Sequence, residues 1–107
     1  MFFTHGRWLV HAGQESAFVS AWEEFVAWAT AELPGGPWAI LLRDRDNPRQ
    51  FFSFGPWVSL DTIADFRSRP QFSDFQGQVR PMLESSRSSV WTWRLMAEMP
   101  LPSEVTS

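Results

Sequence analysis

The sequence contains no cysteine and no tyrosine, although seven Trp and ten Phe make 16% of its 107 residues aromatic. Without cysteine the chain has no disulfide, no thiolate redox chemistry and no cysteine-bound zinc. The only two histidines, His5 and His11, cannot complete a metal site by themselves. We therefore expect no metal centre.

Basic residues are also few. Nine Lys and Arg stand against twelve Asp and Glu, so the net charge is −3, and no basic run could follow a phosphate backbone. The first residues, "MFFTHGRWLV", lack the basic region and long apolar run of a signal peptide, and no segment approaches membrane-spanning length. We expect a cytoplasmic protein that contacts neither nucleic acid nor membrane.

The length indicates one domain with a modest hydrophobic core. We expect residues 1–97 to form this domain and residues 98–107, "EMPLPSEVTS", to form a C-terminal tail that is ordered only where a neighbour holds it. The aromatic content exceeds what one small core needs. It therefore favours an oligomer interface, a ligand pocket, or both.

Hydrophobic periodicity predicts the order strand, helix, strand, strand, broken helix, strand. Ser59 is a natural N-cap, and Pro81 bends or shortens the last helix. This order is the α+β, ferredoxin-like βαββαβ plan, a four-stranded antiparallel sheet with helices on one face. The predicted strands are 2–10, 37–43, 50–58 and 88–96, and the predicted helices are 14–33, 59–69 and 71–84.

The predicted strands are apolar on both faces. "WAILL", residues 38–42, predicts a strand buried on both sides, and "QFFSFGPWVSL", residues 50–60, carries aromatic residues on both faces with a bulge expected at Gly55 and Pro56. Two helices cover only one face of such a sheet. We therefore expect the other face to pack against a second copy of the chain in a homodimer.

Two stretches resemble the antibiotic biosynthesis monooxygenase family of the dimeric α/β-barrel superfamily. In "WLVHAGQESAFVSAWEEF", Gly13 ends the first strand and an aromatic-rich helix follows. In "FSFGPWVSLDTIADFRSRPQF", a strand closes on Trp57, a short helix begins, and Pro-x-Phe starts the next segment. The resemblance covers residues 3–96 and implies a dimeric α/β barrel.

The resemblance also implies a pocket between sheet and helices in each protomer. Some members oxygenate aromatic phenols to quinones without metal, flavin or haem, because the phenolate or enolate of the substrate reacts directly with oxygen. On this basis we expect no cofactor and a small aromatic ligand. The expected substrate-binding residues are Trp8, Trp57, Phe66, Phe72 and Phe75, with plain core packing as the alternative role for each.

Three titratable residues are candidates for catalysis. His5 suits a general base, although strand parity places it with Phe3 and Arg7 on the interface side. Arg43 follows a strand and Arg94 lies in one, so either could hold an anionic substrate oxygen or form a salt bridge instead. We expect Arg67 to face solvent.

Departures from the family pattern keep two alternatives open. Haem-degrading relatives carry Asn, Trp and His at positions that correspond to Gly6, Phe66 and Gln76, which disfavours haem. The quinone-forming relatives use Tyr and Asn around the substrate, whereas the only Asn here, Asn47, lies in a predicted turn. The leading hypothesis is a cofactor-independent monooxygenase, followed by a non-catalytic binding protein and then by a haem-binding protein.

Overall fold

Strands and helices follow one another along the chain in the predicted order. The computed structural model of the protein describes residues 1–33, 39–84 and 89–97, so the expected tail at 98–107 lies outside the described residues. A 3-10 turn at Arg80–Met82 follows the last α-helix. The elements are β1 (Phe2–Leu9), α1 (Glu15–Glu32), β2 (Ile40–Arg43), β3 (Gln50–Trp57), α2 (Leu60–Ser68), α3 (Pro70–Val79) and β4 (Ser89–Arg94).

The four strands form one antiparallel sheet in the order β2-β3-β1-β4. This is the ferredoxin-like arrangement, so the predicted fold class is confirmed.

The prediction of a bulge before Trp57 is wrong, because Gly55, Pro56 and Trp57 pair one to one with β1. Proline has no backbone N–H to donate. Pro56 is tolerated because β2 pairs with β3 only as far as Phe54, so Pro56 interrupts no hydrogen bond between these two strands.

Local sequence signals explain where the helices begin and end. The Ser59 hydroxyl accepts a hydrogen bond from the Thr62 amide, as an N-cap should, and α2 starts at the next residue. Pro70 occupies the first turn of α3, where its missing N–H has no intrahelical partner in any case. The helix gives way to the 3-10 turn that contains Pro81, which confirms the predicted shortening.

Within a single chain, β2 is buried on one face only, whereas burial of both faces was expected. The side chains of Ile40 and Leu42 are 38% and 49% exposed, whereas Leu41 packs against the core on the helix side. The sheet order explains this difference, because β2 is an edge strand and the helices cover only one face. Burial of the other face was expected from a second chain in the homodimer, so it stays a prediction.

The core consists of two clusters between the sheet and the helices. One is built around Phe18, Phe51 and Val79, and the other around Trp57 and Ile63. Phe25 of α1 packs against both clusters. The space beside Phe25 is where the sheet and all three helices converge.

The opposite face of the sheet carries large apolar side chains without a helix over them. Leu42, Phe52, Trp91 and Trp93 are exposed, Trp93 to 58%. We call these four residues, together with Ile40, the open face. Among the described residues no helix is long and apolar enough to cross a membrane.

Candidate functional site

A cavity of about 110 Å³ lies between the helix-covered side of the sheet and the three helices. Its floor is formed by β1 and β3, which contribute Gly6 and Ser53. Arg67 of α2 and Gln76 of α3 also line the cavity, and both are exposed residues. The cavity is therefore partly open to solvent where these two helices meet, and we call this opening the mouth.

Aromatic rings make up most of the cavity wall. The ring centroids of Trp57 and Phe66 lie 4.9 Å apart, and those of Phe66 and Phe72 lie 5.3 Å apart. Phe25 stacks on Phe75 with a centroid distance of 4.3 Å. The five residues expected to bind substrate all line this one cavity: Trp8, Trp57, Phe66, Phe72 and Phe75. Trp57, Phe66 and Phe75 are also buried core residues, so these three both line the cavity and pack in the core.

Hydrogen bonds hold two indole rings against the sheet. The Trp8 Nε1 donates to Ser53 Oγ at 2.9 Å, and the Trp57 Nε1 donates to Thr4 Oγ1 at 2.9 Å. Each hydroxyl accepts one bond and keeps its own hydrogen to donate. Since Thr4 and Ser53 line the cavity, these hydroxyls are polar groups that a bound molecule can contact.

Gly6 makes the Trp8–Ser53 hydrogen bond possible. A Cβ atom at this position would lie 2.7 Å from Trp8 Nε1 and 2.8 Å from Ser53 Oγ, closer than packed atoms approach. The absence of a side chain thus lets the indole lie across β1 and reach the neighbouring strand.

His5 lies on the other side of the sheet. Its ring packs against Phe52, Trp91 and Trp93 at centroid distances of 3.9, 5.1 and 5.7 Å. Both ring nitrogens are buried without a hydrogen-bond partner among the described residues. Burial, with a smaller contribution from the positive charge of Arg7, lowers the pKa of His5 below 6.5. Although His5 contributes to the cavity lining, its ring faces the open side.

The two arginines predicted as anion-binding candidates lie elsewhere. Arg43 lines a separate groove with Val19 and Glu23, and Arg94 pairs with Phe2 across the sheet without lining the cavity. Arg67 is exposed, as expected, yet it lines the cavity. Sequence reasoning missed this because position alone does not separate Arg67 from other helical arginines. One sequence feature could have indicated the position of Arg67. Arg67 directly follows the buried Phe66 and therefore lies at the border of the buried face of α2.

Arg67 dominates the electrostatics of the mouth. Its Nη2 donates to Thr92 Oγ1 of β4 at 3.2 Å. Within the described part of the chain, no carboxylate side chain lines the cavity, and Arg67 has no acidic partner within 4.0 Å. The mouth therefore has positive charge beside apolar walls.

The cavity residues do not fit haem. Among the described residues that line the cavity, His5 is the only one of a type that serves as an axial haem ligand. The imidazole of His5 packs on the opposite side of the sheet. The described lining therefore offers no axial ligand to a haem iron.

The fold and the site together define a ferredoxin-like α+β protein with an aromatic cavity under its helices. Residues 1–78 match the family model of antibiotic biosynthesis monooxygenases, so the chain belongs to this family. The resemblance found from the sequence is thereby confirmed. No curated protein sequence is significantly similar to the chain.

Several solved structures share the fold. SnoaB, a cofactor-independent oxygenase from Streptomyces nogalater, is 22% identical, with a TM-score of 0.79 over 94% of this chain and 97% of SnoaB. An antibiotic biosynthesis monooxygenase is 14% identical, with a TM-score of 0.75 over 94% of this chain and 100% of the other. A conserved protein from Methanosarcina mazei Go1 is 11% identical, with a TM-score of 0.77 over 87% and 90%.

Proposed function

We propose that this protein is a cofactor-independent monooxygenase that oxidises a small aromatic, phenol-like or quinol-like substrate. The observation that carries the proposal is the cavity walled by Trp8, Trp57, Phe66, Phe72 and Phe75. Flat aromatic rings favour a flat aromatic ligand through offset-stacked and edge-to-face contacts. Membership of the family and the fold of SnoaB, a cofactor-independent oxygenase, support the same reaction class.

The reaction needs no electron donor besides the substrate. A phenol and O₂ give a quinone and water: one oxygen atom enters the ring, the other leaves as water, and the four electrons come from the substrate. The protein contributes binding, orientation and exclusion of water. The hydroxyl groups of Thr4 and Ser53 are donors toward substrate oxygens, while the aromatic walls restrict the position of the ring.

Oxygen consumption with a panel of single-ring phenols and quinols tests this proposal. We expect at least one compound to consume one O₂ per molecule and to yield the quinone absorbance, with metal chelators present throughout. Phe72→Ala, which removes part of the cavity wall, should raise KM, whereas Val58→Ala at an exposed site should not. If no compound is oxidised faster than in buffer alone, the proposal is wrong.

A non-catalytic binding protein is the second candidate function. It is favoured by the absence of a carboxylate from the described cavity lining and by the orientation of the His5 ring toward the other face, which leave no evident general base in the cavity. Tight binding of a phenol to the protein, detected by quenching of tryptophan fluorescence, without oxygen consumption would favour this second function.

We further propose that the working form is a homodimer joined through the open face. Support comes from the exposed Phe52, Trp91 and Trp93, and from the His5 nitrogens buried there without partners in the described chain. Exposed apolar patches of this kind are typical of interfaces. Alternation of side chains along β1 places Arg7 on the same side of the sheet as the open face. Arg7 is the only permanently charged residue that β1 contributes to this side, so a second copy would meet mainly apolar surface.

A further inference from the structure

The mouth of the cavity contains a cation whose charge no acidic side chain among the described residues neutralises. The guanidinium groups of Arg49 and Arg69 are paired with Glu84 and Asp65 respectively. Arg67, by contrast, has only the neutral hydroxyl of Thr92 as a partner among the described residues. Its charge is therefore available to a ligand.

The guanidinium has one hydrogen bond among the described residues, which leaves most of its donors available within that part of the chain. An arginine side chain has five N–H donors, and one of them bonds to Thr92 Oγ1. This bond links α2 to β4, while the side chain lines the cavity. Such a group can donate to an oxygen at the mouth, and an ionised oxygen forms the stronger bond.

The size of the cavity restricts the ligand. Cavities of about 150 Å³ lined by apolar side chains hold a benzene molecule. The cavity here is about 110 Å³ and partly open. One aromatic ring with a substituent extending into the mouth is therefore the largest aromatic ligand that we expect, since a fused polycyclic ligand would require the walls to move apart.

We propose that the cavity selects single-ring phenols in their anionic form, with Arg67 pairing with the phenolate oxygen at the mouth. The ring lies among Trp57, Phe66 and Phe72, and the phenol proton passes to solvent when the anion binds. This inference rests on the proposed function, because it specifies the ligand of the same cavity. It makes Arg67 a residue that determines specificity.

The test compares para-nitrophenol, whose anion is coloured, with para-nitroanisole, its neutral methyl ether. Binding of each to the purified full-length protein is followed by tryptophan fluorescence, and the absorbance of bound para-nitrophenol reports its ionisation. In wild-type protein we expect the anion to bind more tightly than the ether, and the ionisation midpoint to fall on binding. Arg67→Gln should weaken binding of the anion roughly tenfold and abolish the shift, because it removes a charge-assisted hydrogen bond.

Two further variants separate specificity from stability. Arg69→Gln, on the same helix end but outside the cavity lining, should bind both probes as the wild type does. Arg67→Lys, which keeps the charge, should restore part of the preference for the anion. Equal binding of the anion by wild type and Arg67→Gln would overturn the role of Arg67 and leave the proposed function intact. Equal loss of both probes in Arg67→Gln would overturn it as well, since the arginine would then support the wall.

A third result would reach further. If wild-type protein binds neither probe, this inference is contradicted, and the proposed function is contradicted as well only if no phenol or quinol of the panel is oxidised. Oxidation of a polycyclic substrate only, with no binding of single-ring probes, would contradict this inference alone.

Discussion

Gly6 determines the shape of the cavity floor. A methyl group there would meet both partners of the Trp8–Ser53 hydrogen bond. Gly6→Ala should therefore lower the free energy of unfolding by about 1–3 kcal/mol, because the ring must move from its packed position. Urea denaturation of the two proteins at the same concentration measures the change.

Gly77 provides the matched control. It lies within α3, and a Cβ there would have no atom within 4 Å. Gly77→Ala should raise the free energy of unfolding by about 0.5–1 kcal/mol through helix propensity. If Gly6→Ala is as stable as the wild type, the indole of Trp8 does not pack against the backbone of Gly6.

The buried imidazole of His5 predicts a dependence of stability on pH. Its pKa in the folded protein is below 6.5, chiefly because burial disfavours the charged ring. As pH falls through 6.5, the unfolded chain takes up a proton that the folded chain resists, so the free energy of unfolding decreases. Above that pH the ring is neutral in both states and its contribution is fully present.

Urea unfolding at about pH 7.5 and about pH 5.5 measures this dependence. In His5→Phe the difference between the two conditions should be smaller than in wild type, while His11→Gln, at an exposed position, should keep it. Protein concentration is held constant because association would change the apparent stability. An unchanged difference in His5→Phe would show that other groups cause the dependence.

At the scale of elements, α2 is important because it presents Phe66 and Arg67 to the cavity. The Ser59 hydroxyl satisfies the Thr62 amide at the helix start, with a donor–acceptor distance of 3.1 Å. Ser59→Ala should lower the free energy of unfolding by about 1 kcal/mol, and Ser59→Asp should largely preserve it. Thermal or urea denaturation measures both changes.

Ser68 is the control at the other end of α2. Its hydroxyl donates to the Asp65 carbonyl in an exposed position, so Ser68→Ala should change stability by less than about 0.5 kcal/mol. A loss in Ser68→Ala as large as that in Ser59→Ala would argue against a specific capping contribution.

Local sequence signals predicted most elements of this chain. The i, i+4 spacing in α1, the Ser59 cap and Pro81 act over a few residues, and the structure confirms each of these elements. Burial of the outer face of β2 is not decided by local signals, because it depends on the position of the strand within the sheet and on a partner chain. The same apolar sequence pattern occurs in a central strand and in an edge strand with one uncovered face, so the pattern does not distinguish them.

At the scale of the whole molecule, the open face predicts association. Trp93, on the edge strand β4, is 58% exposed within an apolar surface that includes Phe52 and Trp91. Trp93→Glu should convert a dimer into a monomer, because a buried unpaired carboxylate at an interface is strongly unfavourable. Light scattering at micromolar concentration measures the mass.

Val58→Glu is the control, since Val58 is 77% exposed and lies just beyond β3. This variant should keep the mass of the wild-type protein. A monomeric wild-type protein would contradict the proposed homodimer, as would a Trp93→Glu protein that remains dimeric.

The sequence by itself determined the fold class and the aromatic character of the site, because periodicity, capping and residue type are local properties of the chain. Only the tertiary structure decided which cation reaches the cavity. Arg67 and Arg69 lie two residues apart at the end of the same helix, yet one lines the mouth while the other pairs with Asp65. The difference arises from the rotation of α2 as Phe66 packs against Trp57 and Phe25, contacts that span distant parts of the chain.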